Sequence, residues 1–255
     1  MHPLQAQFEQ VNQSGYLTVS YAPKLPGPKL VDLIQSDWLE HMLQAQKDGR
    51  PNLDKRGEGA FLISRFAFLT ALVVASCQLT SGQVPRLAGT STTVNARRES
   101  IELFIASNEV LNDDIAAIRQ MLIQFYQPMV ERVAALTKLA PAKQWALISD
   151  ALAMTWQFVG EPLGCAEKAR QTAMALLTDE KSVLKNRRTS FEEYKLFASP
   201  DDSAPTIHQF IRVRAGCCRK FTDDGNYCNT CVYVPKEDRQ ARISETLWQN
   251  YYNRQ

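Results

Sequence analysis

The sequence predicts a predominantly helical α+β protein. A large helical N-terminal domain with a few short strands, residues 1–205, is followed by a short cysteine-bearing segment, residues 206–255. Three observations predict it. Apolar residues recur at helical spacing through most of the chain between Pro28 and Asp179. Strand-like alternation is confined to short runs. Four of the six cysteines fall together between positions 217 and 231.

Taken in order, the first 27 residues are polar and contain proline, with one strand-like run at Tyr16–Tyr21. Pro28 opens a helical pattern in which Leu30, Leu33, Ile34, Trp38, Met42 and Ala45 share a face, and Gly49 suits its stop. A second helix is expected from about Ala60 to Leu79. Its core, Phe66–Cys77, is the most apolar stretch of the chain. It is short of the roughly 20 residues a bilayer span needs, so a buried core helix is expected. "TSTTVN" and "SIELFIAS", within residues 81–108, read as short strands.

The middle is strongly helical. Asn112 or Asp113 caps a helix whose stripe is Ile115, Ile118, Leu122, Phe125, Met129, Val133 and Leu136. Pro128 is expected to kink it, because the ring removes a donor and clashes with the preceding turn. Pro141 opens a further helix closed by Gly160-Glu161-Pro162, and another covers about Ala166 to Asp179. Residues 181–205 read as a polar connector ending in "SPDDSAP". "IHQFIRVRAG" then alternates Ile211 and Val213 with Arg212 and Arg214, a half-exposed strand leading into the cysteines. A last helix places Ile243, Leu247, Trp248 and Tyr251 on one side.

With 255 residues, 45% hydrophobic and 22% charged, the chain buries a core without covalent staples. A formal net charge of +2 gives no global signal for nucleic acid. The N-terminus shows no basic stretch followed by an apolar run, so no signal peptide is expected and the reducing cytosol is the default compartment. There, clustered cysteines argue for metal or redox chemistry ahead of disulfides.

The cluster reads Cys217-Cys218, nine residues, Cys228, two residues, Cys231. A structural zinc site suits the Cys228–Cys231 half, where two residues between the thiols let both meet one ion. It suits the adjacent pair poorly, since neighbouring side chains point apart in extended chain. A [2Fe–2S] cluster also takes four thiolates, and its two irons spread the ligands over a wider object. Disulfides and chance clustering are the weaker readings. A Rieske-type cluster needs two histidines, and His208 is the only one nearby; it reads as a strand-surface residue.

The segment "RAGCCRKFTDDGNYCNTC" resembles the C-terminal motif of FhuF-like ferric-siderophore reductases, Cys-Cys, ten residues, Cys, two residues, Cys. The spacer here is one residue shorter, and Gly225 and Asn226 in it tolerate unusual backbone angles. Arg214 resembles the family's basic lead-in, and "KQWALISDALAMTWQF" more distantly resembles its tryptophan-bearing helix. The specific resemblance covers about 20 residues. It implies a [2Fe–2S] cluster on Cys217, Cys218, Cys228 and Cys231, and one-electron reduction of siderophore-bound Fe(III), hydroxamate or similar. It also implies an electron-donor protein such as a ferredoxin or flavoprotein reductase, and a cytoplasmic place that allows peripheral contact with the inner membrane.

Arg212, Arg214, Arg219 and Lys220 flank the first cysteine pair. They read either as a solvated face or as cations that tune the centre and attract an anionic siderophore or acidic donor. Phe221, Tyr227 and Tyr233 interleave with the cysteines and read as local packing or as a water shield. Cys77 and Cys165 read as small buried hydrophobes. No dinucleotide fingerprint, phosphate-binding loop or HExxH motif occurs, so electrons must come from a partner. The competing class is a non-enzymatic zinc-stabilised binding protein that uses the basic strand to engage an anionic partner.

Overall fold

The computed structural model describes residues 1–94, 101–199 and 202–253. In chain order the elements are α1 (Gln5–Gln13), β1 (Leu17–Tyr21), α2 (Leu30–Gln35), α3 (Trp38–Gly49), α4 (Lys55–Ser81), β2 (Gln83–Pro85), β3 (Ser91–Val94), β4 (Ile101–Ile105) and β5 (Val110–Asn112). There follow α5 (Ile115–Thr137), α6 (Pro141–Gly160), α7 (Ala166–Leu177), β6 (Ser190–Leu196), β7 (Ile207–Val213), α8 (Phe221–Asp224) and α9 (Lys236–Tyr252). The fold is predominantly helical α+β.

Helix α4 is the axis of the molecule. The Asp54 carboxylate accepts the Gly57 N–H at 2.7 Å and starts it, and Gly82, at φ +68°, ends it. From Phe66 to Cys77 its sides are largely apolar all round, and all but Phe68 and Ser76 of that run are buried. By length and composition α4 could cross a membrane, and its most apolar window is 72% buried inside the fold. It is therefore the core helix the sequence leads one to expect, although the helix itself is much longer than its apolar run. Helices α1, α3, α5 and α6 pack around it, and α7 packs on α6.

The strands form small sheets at the edges. β4 lies between β1, to which it is parallel, and β3, to which it is antiparallel. β2 pairs with β5 and β6 with β7, both antiparallel. The β6–β7 hairpin packs with α9 through a second, small core of Tyr194, Ile243 and Leu247, joined by Leu196, Ile207 and Ile211. The cysteine segment is the connection between β7 and α9, so this small core fixes both of its ends.

Several local features depart from the sequence reading. Helix α1 lies within the polar N-terminal stretch; of its own residues only Phe8 and Val11 are buried, so its apolar stripe is thin. The helix expected from Pro28 to Gly49 is two helices. Ser36 adopts an extended conformation, and its hydroxyl donates to the Leu33 carbonyl and accepts the Trp38 N–H. That local bonding competes with helix continuation. Asp114, one or two positions beyond the expected caps, starts α5 by accepting from the Ala116 and Ala117 N–H groups. Helix α5 runs unbroken past Pro128, its buried Met129, Val130 and Val133 holding the C-terminal half in the core. β6 lies inside the expected polar connector, because a half-exposed edge strand carries little apolar signal. Asn95, Ser100, Pro200 and Asp201, at the ends of the expected strands and in the connector, lie outside the described residues.

A buried polar chain crosses the core. The Trp156 indole N–H donates to Gln78 Oε1 at 2.8 Å, and Gln78 Nε2 donates to Asp113 Oδ1 at 2.6 Å. Gln78→Leu is expected to leave the indole N–H unpaired and to cost about 1–3 kcal/mol, read as a lower urea midpoint at unchanged slope.

Candidate functional site

The segment between β7 and α9 is held from two sides. On one side is Asp150, a carboxylate on α6 that is 1% exposed. It accepts the Ala215 N–H at 2.9 Å, the Gly216 N–H at 2.8 Å and the Thr189 hydroxyl at 3.1 Å. Arg214 Nε lies 3.7 Å from it. A buried carboxylate needs this number of partners to offset its desolvation. Gly216 is required for the approach: a Cβ there would meet the Leu147 backbone nitrogen at 2.9 Å and its side chain at 2.8 Å. The chain therefore enters the cysteine pair pressed against α6.

On the other side is Asp54, the capping residue of α4. Arg219 Nε donates to both carboxylate oxygens at 2.9 and 3.0 Å, and its Nη2 adds a third, closer contact. The Asp54 N–H donates to the Thr222 hydroxyl at 3.3 Å, and Asn52 donates twice to Asp223. Arg219 is held at φ +61°, a left-handed conformation that costs a non-glycine residue roughly 1–2 kcal/mol. In return its N–H donates to Cys217 Sγ at 3.3 Å, and the Lys220 amide helps to lower Cys218. Successive amides turned one way make an anion-binding nest.

All six cysteines are free of disulfides. Cys217, Cys218, Cys228 and Cys231 all lie on the connection between β7 and α9, and Cys218 and Cys228 share one guanidinium donor. Among the described residues, no group of three or more His, Cys, Asp or Glu side chains is arranged to hold a metal ion. Arg214 Nη1 lies 3.6 Å from both Cys218 Sγ and Cys228 Sγ and donates to them. The hydrogen bond from Cys228 pulls Cys218 below the usual thiol value, with Arg214 adding to the effect, and pushes Cys228 up in turn. Burial raises Cys217. Negative charge on sulfur is thus met by a guanidinium and two amides already in place, and four thiols in this environment fit a [2Fe–2S] group by donor chemistry.

The flanking cations are engaged inside the fold. Arg212 is part-buried and donates to the Asp150 backbone carbonyl at 2.6 Å; desolvation pulls its guanidinium down to about 10, which leaves it charged at neutral pH. Arg214 faces the sulfurs and Asp150. Arg219 is bound to Asp54, and the exposed Lys220 pairs with Asp224 at 2.5 Å. The strand is half-exposed as expected, and the guanidinium heads of Arg212 and Arg214 turn toward α6 and the sulfurs. Phe221, Tyr227 and Tyr233 form a triangle of ring contacts at 5.4–6.5 Å, with Tyr227 44% and Tyr233 60% exposed. The rings are an outer face of the loop and not a sealed cover. His208 is on the surface and bonds Glu193 at 2.7 Å. Cys77 is buried in α4, and burial pushes it up to about 12; Cys165 caps α7 with no side-chain bond.

Comparison with known protein families, characterised proteins and solved structures gives no match.

Asp150, Asp54 and Gly216 are absent from the sequence reading of the site. Asp150 carried a signal: it is the one acid in "WALISDALAMTW", an otherwise uncharged stretch. Asp150→Ala is expected to strand two backbone amides and Arg214 and to cost about 3–5 kcal/mol in denaturant unfolding. For Asp54, the hydrogen bonds from Arg219 hold the carboxyl below its ordinary value. The stability it contributes is present above the unfolded value of about 3.9 and fades as pH falls through the lower folded value. Amides of residues 219–224 are expected to keep their hydrogen-exchange protection down to about pH 4 and lose it below. In Asp54→Asn they are expected to lose it at neutral pH.

Proposed function

We propose that the chain is a ferric-siderophore reductase, catalysing one-electron reduction of siderophore-bound Fe(III) to Fe(II) in the cytoplasm. The observation that carries this reading is the four free thiols on one connection, with Arg214 donating to two of them. They occur in the order and near-spacing that resembles the FhuF-like motif. Cys217, Cys218, Cys228 and Cys231 are the residues to hold a [2Fe–2S] cluster, which when bound supplies a one-electron couple.

The rest is the work of the chain itself. Asp150 and Gly216 seat the first cysteine pair against α6, and Asp54 fixes the turn that follows. Arg214 and the amides of Arg219 and Lys220 offset negative charge at sulfur, which favours the more reduced, more negative state of whatever the thiolates hold. Hard oxygen ligands hold Fe(III) far more tightly than Fe(II), so one electron suffices to loosen the chelate. No side chain need attack the siderophore. The electron comes from a donor protein of the ferredoxin or flavoprotein-reductase class. The competing zinc-binding reading relies on a basic strand open to an anionic partner, and Arg212 and Arg214 both point inward.

Protein purified without oxygen is expected to be brown, to contain iron and sulfide in equal amounts, and to give an EPR signal after dithionite reduction. A colourless protein with stoichiometric zinc, made in ample iron, overturns the reading. Cys228→Ser is expected to abolish ferric-siderophore reduction while far-UV circular dichroism keeps its helical amplitude; full activity in that variant counts equally against it.

A further inference from the structure

A hollow of about 380 Å³ lies between α2, the turn that joins β2 to β3, and α5. Leu30, Ile34, Leu87, Met121, Phe125 and Pro128 make its apolar walls. Lys29 and Arg86 also line it, and no aspartate or glutamate does. Its lining shares no residue with the thiol connection, or with Asp54 and Asp150 that hold that connection. We propose that this hollow is a separate small-molecule site and that it takes an apolar monocarboxylate, an alkyl or aryl acid with one ionised carboxyl. The proposal does not depend on the reductase reading.

Unmet donors carry the inference. Thr90 is 3% exposed and lines the hollow, and its hydroxyl has no partner among the described residues. A hydroxyl held out of water without a partner is costly, and a ligand that brings an acceptor removes the cost. The buried Leu87 N–H donates to the Met121 thioether at 3.4 Å, a weak acceptor that a carboxylate oxygen would improve on. The N–H groups of Ala88 and Gly89, between these two residues, also have no partner among the described residues. Arg86 pairs with Glu109 at 2.9 Å, whereas the exposed Lys29 ammonium has no ion pair among the described residues. One uncompensated cation, donors without good acceptors and apolar walls together describe a site for an apolar ion of single negative charge.

The hollow is also preformed. The Leu30 N–H donates to the Thr90 carbonyl at 2.8 Å, and the Ser91 hydroxyl donates to the Pro28 carbonyl at 2.6 Å. These two bonds fix the start of α2 to the turn opposite, and α2 packs on α5 along its other side. Walls tied together in this way lose little freedom when a ligand enters. The volume lies within the roughly 300–1,000 Å³ of small-molecule sites.

Octanoate and octanamide, alike in chain and different in charge, test this in titration calorimetry on the purified chain. Octanoate is expected to bind at least tenfold more tightly. Thr90→Val keeps the shape and removes the hydroxyl. It is expected to weaken octanoate about tenfold while the melting temperature of the unliganded protein holds or rises, because no internal bond is lost. Lys29→Met is expected to weaken octanoate about fivefold and to leave octanamide unmoved. Val31→Trp, at an exposed lining residue on α2, is expected to weaken both probes about tenfold by filling the mouth. Equal binding of the two probes overturns the choice of an acid. Octanoate affinity unmoved in both Thr90→Val and Val31→Trp overturns the hollow as the site. A lower melting temperature in Thr90→Val at unchanged affinity makes the hydroxyl structural and overturns the inference, as does failure of both probes to bind.

Discussion

The carboxylate of Asp150 is the constraint on which the candidate site depends. An ionised carboxyl on a helix buried on nearly every side is costly unless fully bonded. Its partners here are not spread over the molecule. They are the Ala215 and Gly216 amides, the Thr189 hydroxyl and Arg214, all at the open end of the β6–β7 hairpin, where Ser190 pairs with Val213. The need to satisfy one charge therefore draws the hairpin onto α6, and with it the first cysteine pair. Gly216 lets the backbone come within reach, since any side chain would collide with Leu147. Arg214 then links the carboxylate to the sulfurs, so that its guanidinium sees negative charge on both sides.

A second carboxylate repeats the device at the far end of the turn. Asp54 caps α4 and at the same time grips Arg219, whose left-handed backbone aims successive amides at Cys217 and Cys218. The core helix and the thiol loop thus share one residue. Strain at Arg219 persists because the Asp54 pairing and the Thr222 and Asp223 contacts over-determine it.

Much of the fold was legible because helical periodicity reports burial directly. The long stripes of α5 and α6, and the uniform apolarity of α4, announce their places. What escaped was short or locally decided: the break at Ser36, where a hydroxyl bonds the backbone, and β6, whose partner β7 supplies the reason for its existence. The four thiols were legible from spacing alone. Their supports were not, since Asp54 and Asp150 lie far from them in sequence and become partners only through packing. The alternation of Ile211 and Val213 with Arg212 and Arg214 shows the limit clearly. A period of two marks two faces, but it does not say which faces water. Here both faces are part-buried: Ile211 packs on the second core, and Arg212 and Arg214 reach the buried Asp150 and the sulfurs.

That placement bears on recognition. Cations beside a cysteine motif invite the view that they attract an anionic substrate. Three of these four are instead tied to Asp150, to sulfur or to Asp54, and the fourth, Lys220, to Asp224. Positive charge placed inward acts on the thiolates at short range and in low dielectric, where it is strong; the same charge at the surface would be screened by salt. The outward side of the loop carries the exposed rings of Tyr227 and Tyr233 and the Lys220–Asp224 pair, whose opposite charges lie side by side and largely cancel at a distance.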